Sequence, residues 1–508
     1  MNGADVVAKH RQDQMPGPPP MMGLEEAAAA VGGELHGPPV RFGGVTADSR
    51  RVSAGDLFVA LAGERFDGND YVAEAAVRGA VGAITQRVVG AGMPLPQVVV
   101  ADTRTALGRL AAHWRGRFSL PLVALTGSNG KTTVKEMLAA ILAAHCGDSA
   151  PVLATEGNLN NDIGMPLTLL RLRERHRYAV IEMGMNHEGE IACLTRIARP
   201  TVAIVNNAHR AHVGILGSLE AIARAKGEIY AGLGPGGIAV VNEDDAFASY
   251  WKSLNGRAPS TGTGHNTMAD VPCPPTGRGE GGATVSRRIV TFGLAGSADV
   301  RATFDGRQLK VVTPVDAFAV ALQVAGEHNA RNALAACAAA HALEIAPHAM
   351  QAGLAAFAGV PGRLQRRAGP AGAAVIDDSY NANPESMKAA LRVLASEPGR
   401  RVFVMGDMGE LGAESAALHA EVGAYAREQG IDALFALGPD SAAAVPAFGK
   451  GARHFDDAAG ILEAARREAE AGTTLLVKGS RFMHMERIAD ALAPATRRGS
   501  PAGGHHAA

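Results

Sequence analysis

The sequence predicts an α/β fold with two helix-wrapped, mostly parallel sheets behind a smaller amino-terminal region. Short apolar runs of β type alternate with alanine-rich helical segments, the pattern of a parallel sheet covered by helices. The runs end in glycine, aspartate, asparagine, glutamate or lysine, and open α/β sheets present ligands at the carboxyl ends of their strands. They also fall into two sets, one before residue 250 and one after residue 360. Two such sheets imply two domains facing a shared cleft.

In chain order, residues 1–22 ("MNGADVVAKHRQDQMPGPPPMM") lack the continuous apolar core of a signal peptide. They read as a disordered extension, with Met21 or Met22 as an alternative start. Residues 23–117 have mixed patterning and one polar loop, "TADSRR". The central region, 118–357, holds the apolar runs "PLVAL" (121–125), "YAVIEMG" (178–184), "TVAIVNN" (201–207) and "GIAVVNEDD" (237–245). Inside it, residues 255–287 are rich in Gly, Pro, Thr and Ser and read as a surface insertion. The carboxy-terminal region, 358–495, repeats the pattern in "AAVIDDSYNANP", "RVFVMGDMGELG", "ALFALGPD" and "TLLVKGSRFM". The tail, 496–508, reads as disordered.

Bulk properties exclude several classes. A net charge of −1 over 508 residues gives no basic stripe for nucleic acid. No apolar run reaches the ~18–20 residues needed to span a bilayer. Cys146, Cys193, Cys273 and Cys337 are isolated, which fits a reducing cytoplasm rather than a disulfide framework or a cysteine zinc site.

The chemistry centres on "TGSNGKTT", Thr126 to Thr133, between an apolar run and a helix whose inner face is Val134, Leu138, Ile141 and Leu142. It is a short form of the phosphate loop, with Gly127 and Gly130 bracketing Ser128 and Asn129. Amides from Gly127 to Thr132 are expected to point at phosphate oxygens, aided by the helix dipole. Lys131 would neutralise the β- and γ-phosphates, and Thr132 would ligate Mg²⁺. Glu182, ending the next apparent strand, is the candidate for a second hard-oxygen ligand; the alternative is a carboxylate paired to an arginine. His212 on its own reads as a loop histidine, and Lys226 as a solvated surface lysine. The residues alone reach a magnesium-nucleotide enzyme or a nucleotide switch.

The short loop resembles that of the Mur ligases and folylpolyglutamate synthetases. "VTADSRRVSAGDLFVALAGERFDGNDYV" (45–72), "EGNLNNDIGMPLTLL" (156–170), "IEMGMNHEGEI" (181–191), "AKGEIY" (225–230), "GEHNARNALAA" (326–336), "PGRLQ" (361–365), "DDSYNANPESM" (377–387) and "MGDMGELG" (405–412) narrow the resemblance to the Mur ligase branch that adds D-alanyl-D-alanine. The resemblance implies three domains: a UDP-sugar-binding α/β domain, a central ATPase-type domain and a carboxy-terminal Rossmann-like domain. It implies an ATP-dependent amide ligase of peptidoglycan precursor synthesis, cytoplasmic and monomeric, joining UDP-N-acetylmuramoyl-tripeptide to D-alanyl-D-alanine. On this resemblance Thr132 and Glu182 hold one Mg²⁺, Glu182 and His212 contribute to a second, and Lys226 is carbamylated to serve as a metal ligand. Asn329 and Asn332 match adenine-side residues, and Arg363 and Asp378 match contacts to phosphate and ribose. Ser49 and Arg50 match the uridine-diphosphate end of the sugar nucleotide, and Asn160 and Asn161 its muramoyl-peptide part. One stretch departs from the family: "NNAHRAHVGILGS" (206–218) has Gly214 where relatives often carry glutamate, and His209 beside His212. Another amino-acid ligase of the superfamily and a non-ligase nucleotide switch are the competing readings.

Overall fold

A computed structural model describes residues 20–63, 66–90, 94–147, 152–254, 287–294 and 296–494. Most of the 255–287 segment and the 496–508 tail therefore lie outside the described residues.

Three main sheets organise the chain. The first has five strands in the order Glu34–His36, Gln97–Val99, Gly82–Thr85, Asp56–Val59, Gly44–Thr46. The second has nine, in the order Val152–Ala154, Tyr178–Glu182, Leu122–Thr126, Val202–Val205, Ile238–Asn242, Arg288–Gly293, Val300–Phe304, Gln308–Val312, Ala317–Ala321. Its first seven strands are parallel and its last two pairings antiparallel. The third has six, in the order Gln365–Ala368, Ala374–Asp378, Thr473–Lys478, Arg400–Gly406, Ala433–Leu437, Ala452–Phe455. Every residue of Leu122–Thr126 is buried, as the centre of a two-sided parallel sheet demands. The chain leaves this strand to build two strands on one side and then returns to its other side, so the loop after Thr126 opens at the topological switch point.

The helix Lys131–Cys146 buries Val134, Met137, Leu138, Ile141 and Leu142. It is clamped by two neighbours made of small residues. The helix Glu327–Ala342 is alanine-rich and buried almost all round. The helix Pro347–Ala356 brings Gly353 so close that a Cβ there would strike the Ile141 backbone. The phosphate-loop helix is thus held against sliding along its axis.

Two segments differ from expectation. Met21 and Met22, read from sequence as the end of a disordered extension, are buried, and Met22–Gly23 pairs antiparallel with Arg41–Phe42. Burial of two apolar side chains with backbone pairing outweighs the ordering entropy of so short a stretch. Arg287, the last residue of the assumed insertion, is also buried, immediately before the interior strand Arg288–Gly293.

Candidate functional site

Strand register places the first polar groups. Leu125 pairs with Glu182 and Thr126 with Val205, which sets Glu182 on one flank of the loop and Asn206 and Asn207 on the other. Gly130 has φ +78°, and a Cβ there would collide with Asn332 Oδ1 and lie 2.7 Å from Asn206 Nδ2. Only glycine meets both demands. Gly130, Lys131, Thr132 and Thr133 have backbone amides without an acceptor among the described residues, the usual state of a helix start that receives an anion. Ser128 and Asn129 differ from expectation: their amides donate to Asn207 O at 3.1 Å and Asn207 Oδ1 at 2.9 Å. Lys131 Nζ donates to Gly127 O at 2.7 Å across the loop.

Glu182 is buried, with no arginine paired to it among the described residues. Its carboxylate accepts from Thr132 Oγ1 at 3.0 Å and from Asn160 Nδ2 at 2.7 Å, and its amide donates to Thr155 Oγ1. Lys226 is no surface lysine: it is 2% exposed, with no hydrogen-bond or ion-pair partner among the described residues. Burial, and then the charge of Lys131, push its amine well below the ordinary lysine range. Burial lowers Lys131 as well, against the raising effect of Glu182. His212 takes a left-handed conformation, φ +63°, and its Nδ1 lies 2.5 Å from Glu410 Oε2, an ion-pair contact without hydrogen-bond alignment. Among the described residues no group of three His, Cys, Asp or Glu side chains converges to hold a metal.

Beside the loop lies a cavity of about 480 Å³ between the nine-stranded and six-stranded sheets. Asn129, Gly130, Asn329, Asn332, Arg363 and Asp378 line it. The two helix asparagines are tied into a network, with Asn332 Nδ2 donating to Asn329 Oδ1 at 3.2 Å and Asn206 Nδ2 to Asn332 Oδ1 at 3.0 Å. From the other sheet, Asp378 pairs with Lys478 at 2.6 Å, on adjacent strands in register. Arg363 lies over the Tyr380 ring at 4.1 Å, its Nε buried and unpaired. Asn383 reaches across the cleft, its Nδ2 donating to Asn129 Oδ1 at 2.7 Å.

Some expected residues lie elsewhere. Ser49 and Arg50 form a short helical turn on the amino-terminal sheet, Ser49 donating to Glu74 and Arg50 ion-paired to Asp48 at 2.9 Å. Asn161 Oδ1 accepts from the Gly164 amide and so shapes the start of the next helix. Conversely, sequence reading passed over Asn206, Asn207, His328, Lys478 and Asn383, which shape the cleft. The signals were there in part: "VNN" and "VKGS" both break apolar runs with polar residues at strand ends.

A short phosphate loop at a switch point, faced by a second sheet across a polar cavity, defines a class of α/β proteins that handle a phosphate chain between two domains. Three family descriptions match the chain: "Mur ligase family, catalytic domain" over residues 41–115, "Mur ligase middle domain" over 125–340, and "Mur ligase, glutamate ligase domain" over 362–481. The UDP-N-acetylmuramoyl-tripeptide--D-alanyl-D-alanine ligase of Escherichia coli (strain K12) is 42% identical over 476 residues, covering 92% of this chain and 98% of that one. A crystal structure of MurF from Acinetobacter baumannii has a TM-score of 0.80 at 37% identity, covering 92% and 98%. The MurF ligase of Thermotoga maritima, solved in complex with ADP, has a TM-score of 0.71 at 27% identity, covering 88% and 96%. The chain belongs to the Mur ligase family.

Proposed function

We propose that this chain is the ATP-dependent ligase that joins D-alanyl-D-alanine to UDP-N-acetylmuramoyl-tripeptide, releasing ADP and phosphate, in the cytoplasm. The supporting observation is the 42% identity that runs through 98% of the Escherichia coli ligase, with all three family domains in order. No described helix is long and apolar enough to cross a membrane.

The residues make chemical sense of that reaction. A carboxylate is a poor electrophile, so the tripeptide's terminal carboxylate first takes the γ-phosphoryl group to become an acyl phosphate. Two anions must meet, and the free amides of Gly130 to Thr133 with the Lys131 ammonium supply positive potential for the phosphate chain. Thr132 Oγ1 and the Glu182 carboxylate, 3.0 Å apart, are hard oxygen donors suited to Mg²⁺, which would offset phosphate charge when bound. As an ammonium, Lys226 does not fit a metal site. As a neutral amine it can attack carbon dioxide, lose a proton and become a carbamate, an oxygen donor beside Lys131. His212 would offer Nε2 to a second ion, with Glu410 Oε2 lying 2.5 Å from its Nδ1. On the nucleotide side, Asn329, Asn332, Arg363 and Asp378 would contact base, phosphate and ribose across the cavity they line. Ser49, Arg50, Asn160 and Asn161 would meet the sugar nucleotide. The dipeptide amine then attacks the acyl phosphate and expels phosphate, a step governed chiefly by positioning.

The test supplies the full-length protein with ATP, UDP-N-acetylmuramoyl-tripeptide and D-alanyl-D-alanine. Pentapeptide and phosphate are expected in equal amounts. Phosphate release that ignores the dipeptide, or preferred ligation of a free amino acid, would sink this reading.

A further inference from the structure

The loop after the strand Thr473–Lys478 holds residues that the nucleotide site leaves unused. Lys478 turns inward to Asp378. Ser480 is buried, accepting from the Gly409 amide at 2.8 Å and donating to Ala382 O at 3.2 Å. Arg481 and Phe482 do the opposite. Their exposures are 57% for the Arg481 side chain and 59% for Phe482, and packing explains neither.

Their place relative to the reacting centre is informative. The Tyr380 ring has the Arg363 guanidinium 4.1 Å from its centre and the Arg481 guanidinium at 5.6 Å. Arg363 lines the cavity, and its charge reaches Lys131. Arg481 is therefore one aromatic ring removed from the phosphate end. At about 3.3–3.6 Å per residue, an extended dipeptide spans roughly 7 Å from amine to carboxylate. A nucleophile whose amine sits at the acyl phosphate puts its carboxylate about one ring further out.

We propose that Arg481 binds the free carboxylate of the incoming dipeptide and that Phe482 covers its methyl groups. This rests on the ligase reading above. A carboxylate drawn into a cleft requires a cation, and the neighbouring cations are engaged. Lys478 is paired with Asp378, Arg210 with Glu385 and Glu421, and Lys131 and Arg363 face the phosphate end. Among the described residues Arg481 has one weak, solvent-screened ion-pair partner, Glu486 at 3.2 Å, which leaves most of its planar fork for bidentate contact. Phe482 stands over Gly409, where a Cβ would come within 2.9 Å of its ring, so "MGDMGELG" forms the floor beneath it.

The experiment compares D-alanyl-D-alanine with D-alanyl-D-alaninamide, which lacks only the carboxylate charge. Wild-type protein should prefer the acid by about 10–100-fold in kcat/KM, the usual cost of an unpaired charged group. Arg481→Ala should lose that preference through KM for the dipeptide, with KM for ATP unchanged. Arg481→Lys should keep part of it, and Phe482→Ala should weaken acid and amide alike. Wild-type preference surviving in Arg481→Ala overturns the assignment while leaving the ligase reading intact. No ligation of either nucleophile by wild-type protein overturns both.

Discussion

Lys226 sits beside Lys131 with no acceptor for its ammonium among the described residues. A like charge nearby and loss of water both disfavour the protonated form. A neutral amine is the form that reacts with carbon dioxide, so the burial that makes a cation costly there would also favour the proposed carbamate. Lys226→Ala should abolish ligation, and millimolar acetate or formate should restore part of it by occupying the vacated space. Wild-type turnover in that variant would remove the carbamate. Gly130 offers a second residue-scale check. Gly130→Ala combines an unfavourable φ with a collision at Asn332, so ATP-dependent turnover should fall at least tenfold without loss of the fold. Unchanged ATP kinetics would show that the loop tolerates the shift.

At the scale of elements, the segment 206–218 acts as a clasp. Arg210 pairs with Glu385 at 2.6 Å and reaches both oxygens of Glu421, at 2.8 and 3.1 Å, while Lys388 also meets Glu421. Arg210, and then Lys388, hold the Glu421 carboxyl at about 2, below its ordinary 4.5. A carboxylate depressed in this way contributes stability that is complete above about 4.5 and lost as the pH falls towards 2. Arg210→Met should therefore lower stability by a constant amount from neutral pH to about 5, and by less below 4.5, as read from denaturant unfolding at each pH. A pH-independent difference would dismiss the pairing. Sequence could not reveal this clasp, because its partners lie 175 and 211 positions apart. The eight apolar runs tell the opposite story. Each is a strand with its polar residues at the carboxyl end, because burial on both faces leaves an unmistakable local signature. The last three strands of the nine-stranded sheet, Val300–Phe304, Gln308–Val312 and Ala317–Ala321, went unread because they alternate buried and exposed positions and lack such runs. Within the site, the strand–loop–helix setting of Thr126 to Thr133 and the strand-end position of Glu182 were legible from local pattern, whereas Asn383, meeting Asn129 from 254 positions away, was not.

At the scale of the molecule, the nine-stranded and six-stranded sheets meet at Gly214, where this chain leaves no room for the side chain that relatives often carry. A Cβ on Gly214 would lie 2.5 Å from Gly412 N and 2.8 Å from Glu410 O, and Gly214 N donates to Glu410 O at 3.0 Å. Gly214→Glu should force the sheets apart, raising the radius of gyration in solution scattering and cutting ligation while leaving each sheet folded. An unchanged radius and rate would mean the contact is incidental. The same region has a mechanical side. The chain crosses from one sheet to the other once, through residues 357–364, where Gly359, Gly362 and Leu364 all take positive φ. Such positions are where a hinge absorbs rotation. Arg363 belongs to that crossing and also lines the cavity. The crossing and the cavity wall share Arg363, so a molecule seated in the cavity would press on the crossing itself, and occupancy would bear on any rotation there by adjacency, without a relay.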